Sequence, residues 1–350
     1  MTLACTLHGM LDLRLQEETP PAPGPHDVLL RLGAGGICGS DLHYFQQGRV
    51  GAFVIREPLV PGHEASGVVA APWALRSRAC GRATASPSTP AHPCGHCDYC
   101  RGGRGNLCRR MFFLGSASVF PHAQGMFRER FVMGEAQLTP VDRARGRRWA
   151  RSPAPSRCRS ACTRCTAPVR LLGETVLVTG GGTIGCMCVL AARLAGAARR
   201  RRLRHRTSAR SRWRGTVGAD RGGPHRPGRP RVAGRHRRRR HRGRRPARPH
   251  CRTCLHGRPA WRPHRPGRHA AAEELPFPFP ANQRDAARAR LPRRLPRRTW
   301  PSTGRCRRIR SRRVDVRPLI TAQLPLSRAR EAFELALDKS RSTKVQVVAA

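Results

Sequence analysis

The chain is nearly without lysine. Lys339 and Lys344 are its only two, so 67 of its 69 basic residues are arginine. Acids are scarce as well, 20 in all, and the formal net charge is +49. Aromatic residues make up 5 % of the chain, which, with the missing lysine, argues against a basic arm evolved to grip nucleic acid. No run of about 18 apolar residues is present, so no membrane-spanning helix is expected. The opening MTLACTLHGMLDLRLQ has no basic stretch followed by an apolar one, so no secretory leader is expected either and the cytoplasm is the expected location. Cysteine, by contrast, is plentiful at 15. In a reducing compartment such residues read as metal ligands and free thiols before disulfides.

A length of 350 residues suffices for two domains with buried cores. The charge is not spread evenly. Residues 1 to 70 hold four arginines and seven acids, whereas residues 199 to 270 hold 27 arginines and one acid, Asp220. That stretch has six large apolar residues, Leu203, Trp213, Val217, Val232, Leu255 and Trp261, too few to offset the entropy of ordering it. On either side lie segments with strand alternation, glycine turns and helical apolar spacing, among them VLLRLGAGGICGSDLHYF, LLGETVLVTGGGTIGCMCVLAARLAGA and PLSRAREAFELALDKSRSTKVQVV.

Two groups of residues have the chemistry of metal ligands. Cys94, Cys97, Cys100 and Cys108 follow one another in PCGHCDYCRGGRGNLC. Four thiolates at that spacing can close around one structural zinc, with Zn–S bonds of ~2.3 Å, and the intervening glycines permit the tight loops. Upstream, Cys38 stands in GICGSDLH and is followed by Gly62-His63-Glu64. A thiolate, an imidazole and a carboxylate can make an open zinc site that leaves one position for substrate or water. On spacing alone, a cysteine and a histidine so far apart are more often structural than catalytic.

Thr175 to Thr179 reads as a buried strand. Gly180, Gly181, Gly182, Thr183, Ile184 and Gly185 then give the G-x-G-x-x-G order before an apolar helical run. Gly180, Gly182, Thr183, Ile184 and Gly185 are the candidate cofactor residues, because glycines there let backbone N–H groups approach a pyrophosphate at a helix N-terminus. The acid that grips a ribose hydroxyl, expected about 20 residues on, is missing. The chain reads RRRRLRHRTSARSRWR instead, with neither that acid nor a second strand expected.

Together, GGICGSDLHYFQQGRVG, PLVPGHEASGVV, the four-cysteine lobe and the strand with its glycine turn resemble the zinc-dependent medium-chain alcohol and polyol dehydrogenases. The wording is most similar to the L-idonate 5-dehydrogenase and sorbitol dehydrogenase branch. The resemblance implies an α/β protein, with a GroES-like β-rich catalytic domain over 1–145, a doubly wound Rossmann domain over 146–284, and a return to the catalytic domain over 285–350. It implies Cys38 and His63 as ligands of a catalytic zinc, Glu64 as an adjacent or alternate ligand, and Asp41 as the partner of that histidine. Ser40 would hold the substrate hydroxyl and pass its proton to His43, and hydride would move between a secondary alcohol of a sugar acid or polyol and NAD or NADP. One catalytic and one structural zinc, a small alcohol or ketone as substrate, and a homo-oligomer follow from the same resemblance. The third catalytic ligand of these enzymes has no clean counterpart around Arg151 to Ala167.

Arginine without lysine, in blocks where family motifs fail, predicts that parts of the chain derive from a GC-rich gene read out of frame. Writing Arg200 to His205 as CGT CGT CGT CTG CGA CAT and starting one base later gives Val-Val-Val-Cys-Asp, the missing strand with its acid. A similar shift over Arg258 to His269 gives Val-Arg-Pro-Gly-Gly-Arg-Ile-Val-Gln-Val-Gly. On this reading Cys162, Cys165, Cys251 and Cys254 are by-products rather than ligands. Two alternatives stand beside the enzyme: an inactive product of a frame-shifted pseudogene, and an arginine-rich nucleic-acid-binding protein. In the enzyme reading, nucleic acid binds only incidentally, through charge.

Overall fold

The computed structural model describes residues 1–70, 84–87, 90–103, 105–141, 175–179, 182–194, 196–197, 199–203 and 315–349. The chain divides into two units, Met1–Ser160 with Pro292–Ala350, and Ala161–Leu291.

The first unit is built on strand β3 (Asp27–Gly36). Val28, Leu30, Leu32 and Ala34 are buried while Arg31 is exposed, the alternation a strand requires when one face meets a core. At ten residues, β3 is long enough for one edge to receive two strands in succession. β10 (Arg130–Gly134) pairs with Asp27 to Arg31, and β15 (Val345–Val348) pairs with Ala34 to Gly36. The opposite edge takes β6 (Ala65–Val69), then β7 (Thr84–Pro87) and β11 (Leu138–Val141). Beyond β15 lies β14 (Ala322–Pro325), which runs parallel to it, whereas the other pairs in this seven-stranded sheet are antiparallel. The end of the sequence thus enters the middle of a sheet begun at its start.

A hairpin of β1 (Thr2–Gly9) and β2 (Asp12–Glu18) covers the core, and Leu7 exchanges backbone hydrogen bonds of 2.8 and 2.9 Å with Leu59. Short pairs complete the unit: β4 (Arg49–Val50) with β5 (Phe53–Val54), and β8 (Ala91–His92) with β9 (Phe112–Phe113). Helix α1 (Gly39–Gln47) ends on Gly48 in the left-handed conformation, and α2 (Asp98–Arg101) is a single turn. Helix α4 (Ala329–Leu337) buries Ala329, Ala332, Phe333 and Ala336, the i, i+3, i+4, i+7 stripe of an amphipathic helix. Phe333 meets the rings of Phe45 and Phe127 edge-on at 5.5 and 6.1 Å.

In the second unit, β12 (Thr175–Thr179) leads to α3 (Thr183–Leu194) and then to β13 (Arg199–Leu203), which pairs with β12 in parallel. Gly196 at φ +84° closes the helix, with its N–H on Arg193 O and that of Ala197 on Ala192 O, the Schellman arrangement. No second strand was expected from the arginine run, so β13 is a correction. Strand pairing uses backbone N–H and C=O groups, which every arginine carries, and a helix of this length returns the chain beside β12. The frame-shifted reading places its Val-Val-Val-Cys-Asp strand over the same positions.

Candidate metal centres and cofactor loop

The first centre forms where β3 ends and β6 begins. Their antiparallel pairing sets Gly35 opposite Ala65, so Cys38, two residues past β3, meets His63 and Glu64, the two residues before β6. Cys38 caps α1, and its backbone N–H donates to Asp41 Oδ2 at 2.7 Å. The other Asp41 oxygen accepts from Gly62 N–H at 3.2 Å. One fully buried carboxylate thus ties the cysteine loop to the histidine loop. Gly62 stands at φ +95°, and a Cβ there would lie 2.3 Å from the Phe127 ring, so both backbone and packing demand glycine.

The donor atoms of Cys38, His63 and Glu64 all lie within 4.8 Å of one another. His63 Nε2 is 3.8 Å from Glu64 Oε1, and His63 Nδ1 is 3.4 Å from Asp41 Oδ1. The latter is an ion-pair separation without hydrogen-bond geometry, and Nδ1 is buried with no hydrogen bond. Burial disfavours the charged imidazole, but the Asp41 carboxylate and the Cys38 thiolate outweigh it and hold the His63 pKa well above its ordinary value. The half-buried Cys38 sulfur and the buried Asp41 and Glu64 carboxylates bring together three groups that can be anionic, of which Lys344 Nζ, 2.8 Å from Glu64 Oε2, offsets one, so the cluster calls for further positive charge. A divalent cation bound by Nε2, Sγ and Oε1 satisfies that need, and the donor set fits zinc. Ser40 Oγ lies 3.5 Å from the same Nε2, beside the position such an ion takes. His43 is half-buried three residues further along α1, on the same helix face as Ser40.

The second centre is Cys94, Cys97, Cys100 and Cys108, whose sulfurs also lie within 4.8 Å of one another. Gly95 and Gly103 take φ of +82° and +70°, so the chain doubles back on either side of α2. The Cys94 and Arg110 N–H groups donate to Cys108 Sγ at 3.2 and 3.3 Å. Backbone N–H groups of Arg109 and Cys100 hold the Cys97 thiol down to about 6, whereas burial and the neighbouring thiols push Cys100 up to about 12. Without a cation the cluster resists ionising every thiol. A zinc ion removes that conflict, because a coordinating thiol is deprotonated outright. Among the described residues no cysteine is in a disulfide.

In the second unit, Gly182, Thr183, Ile184 and Gly185 form the entry to α3, with Cys186 N–H on Gly182 O at 3.0 Å. Gly182 is exposed, and a Cβ there would meet nothing within 4 Å. Gly180, Gly181, the region Arg151 to Ala167 and the later Cys251 and Cys254 lie outside the described residues.

The sequence signature of the Alcohol dehydrogenase GroES-like domain matches residues 24–143, which include both ligand groups. Residues 24–143 belong to the alcohol dehydrogenase GroES-like family. The chain is 34 % identical over 197 residues to the L-idonate 5-dehydrogenase (NAD(P)(+)) of Escherichia coli K12, 56 % of each chain. It is 37 % identical over 200 residues to the sorbitol dehydrogenase of Bos taurus, 56 % of this chain and 53 % of that one. The chain thus matches about half the length of these curated relatives. In fold it is similar to the crystal structure of the E. coli L-idonate 5-dehydrogenase, with a TM-score of 0.73 and 24 % identity, covering 99 % of this chain and 98 % of that one. The Thermus alcohol dehydrogenase TADH gives 0.71 at 20 % identity, covering 99 % and 100 %. The α/β class, with GroES-like and Rossmann parts, is therefore as expected.

In the first unit the open centre has a charged partner that the motifs did not reveal. Lys344 Nζ donates to Glu64 Oε2 at 2.8 Å and to Ile37 O at 2.7 Å, and all but about 5 % of Lys344 and Glu64 is buried. The available signal was composition: a chain that uses arginine almost throughout keeps a lysine here.

Proposed function

We propose that the chain is a zinc-dependent dehydrogenase, moving hydride between a secondary alcohol of a polyol or sugar acid and NAD or NADP. The observation that carries this is the open donor set of Cys38, His63 and Glu64 with Ser40 Oγ beside the His63 nitrogen. Zinc held there supplies a Lewis acid for the alcohol oxygen, and the nicotinamide cofactor supplies the hydride acceptor. Ser40 holds the substrate hydroxyl and accepts its proton as it leaves. His43, one turn on, passes that proton to solvent. Asp41 keeps His63 oriented by fixing both loops. Gly180, Gly182, Thr183, Ile184 and Gly185 hold the cofactor pyrophosphate at the start of α3. The cysteine quartet holds a second, structural zinc that fixes its own lobe.

L-idonate and sorbitol, taken from the names of the relatives, are the first substrates to test. The zinc-loaded chain is expected to reduce NAD or NADP with one of them or a close analogue. Ser40→Ala is expected to lower kcat by about 100-fold or more while keeping its zinc. Failure of the zinc-loaded chain to oxidise any polyol or sugar acid with either cofactor overturns the proposal.

A further inference from the structure

We propose that Lys344 is a positioning residue for the open metal centre, holding Glu64 so that a single carboxylate oxygen, Oε1, is presented beside Cys38 and His63. The inference rests on the reading of those three residues as ligands.

The ammonium group takes two acceptors. Glu64 Oε2 lies at 2.8 Å and Ile37 O at 2.7 Å. Ile37 precedes Cys38, so one cation links the backbone beside the first ligand to the side chain of the third. Glu64 is further fixed by its own carbonyl, which accepts from Gly36 N–H at 2.7 Å. With Oε2 engaged, Oε1 is the oxygen that stands 3.8 Å from His63 Nε2.

Gly36 makes room for this. A Cβ there would lie 2.5 Å from Lys344 Cε, 2.6 Å from Nζ and 3.2 Å from Glu64 Oε2. Glycine is needed not for its torsion angles but because the ammonium passes over its Cα. Lys344 is held in turn by the sheet. Its carbonyl accepts from Thr321 N–H at 2.8 Å, and the next residue, Val345, accepts from Ile37 N–H at 3.1 Å.

Two opposite effects compete. A lysine near a divalent cation repels it, whereas a pre-oriented carboxylate binds it with less reorganisation. The geometry favours the second, because the ammonium lies on the oxygen turned away from His63. An unanchored Glu64 would be a buried carboxylate with no fixed direction.

The test titrates zinc into the metal-free full chain against a chromophoric chelator, and repeats it with cobalt, whose intense four-thiolate bands distinguish the cysteine quartet from the open centre with its single thiolate. The wild type is expected to bind one ion in each ligand group. In Lys344→Met, open-centre affinity should fall about 10- to 100-fold while the quartet keeps its affinity and spectrum. Lys344→Arg, which keeps a cation, should lie between the two. Gly36→Ala leaves every charge in place and displaces chiefly the ammonium, whose Cε and Nζ would lie 2.5 and 2.6 Å from the new Cβ against 3.2 Å for Glu64 Oε2. It should show the same selective loss, and it serves if Lys344→Met does not fold, which loss of the quartet's spectrum would report. Open-centre affinity unchanged or tightened in the folded variant overturns the role of Lys344 alone. A wild type that loads only the quartet overturns the ligand reading beneath it.

Discussion

Asp41 accepts from Cys38 N–H and Gly62 N–H while fully buried, so its removal strands two donors at once. Asp41→Ala is expected to cost about 2 to 4 kcal/mol, read as a lower urea midpoint, with Asp41→Asn costing less because one oxygen remains to accept. Gly62→Ala should destabilise through a separate cause. It forces a Cβ into the Phe127 ring at a left-handed φ, for a loss of about 2 kcal/mol or more by the same measurement. The cysteine quartet was legible because its four residues lie within a short span where spacing restricts geometry, whereas Cys38, His63 and Glu64 were picked out through the family resemblance, and the fold brings their donor atoms within 4.8 Å of one another. Lys344 was not. It sits 280 positions from Glu64, and only the folded sheet brings the two together.

Among the elements, α4 and β15 show why the end of the chain matters to a site near its start. β15 pairs with the last residues of β3, next to Cys38, and α4 closes the core over Phe45 and Phe127 through Phe333. Phe333→Ala removes a fully buried ring and should cost about 3 to 5 kcal/mol in denaturant unfolding. The helix was legible from its apolar stripe and β3 from its alternation. β13 was not, because arginine side chains carry no period of two from which to read a strand; the pairing lies in the backbone. The domain limits were least legible, since the arginine-rich blocks carry no apolar period.

For the whole molecule, a net charge of +49 dictates adhesion to polyanions whatever else the chain does. Binding to duplex DNA is expected to fall steeply as salt rises and to be indifferent to base sequence, as counterion release requires; a competition assay at several salt concentrations checks this. Sequence preference that survives high salt would favour the nucleic-acid reading instead. Arginine use without lysine also predicts that the coding DNA, translated in its other frames, yields continuous apolar strands over residues 199 to 270. Resequencing that stops at every frame without such strands removes the idea. Cys38, His63, Glu64 and the cysteine quartet all lie outside residues 199 to 270.

The zinc content of the purified full chain and of two variants tests the metal centres most directly. Two zinc ions per chain are predicted, one for each ligand group. One should remain in His63→Ala, held by the quartet, and one in Cys97→Ala, held by Cys38, His63 and Glu64. A wild type with a single zinc, or a His63→Ala variant that still carries two, contradicts the open centre on which the proposed chemistry depends.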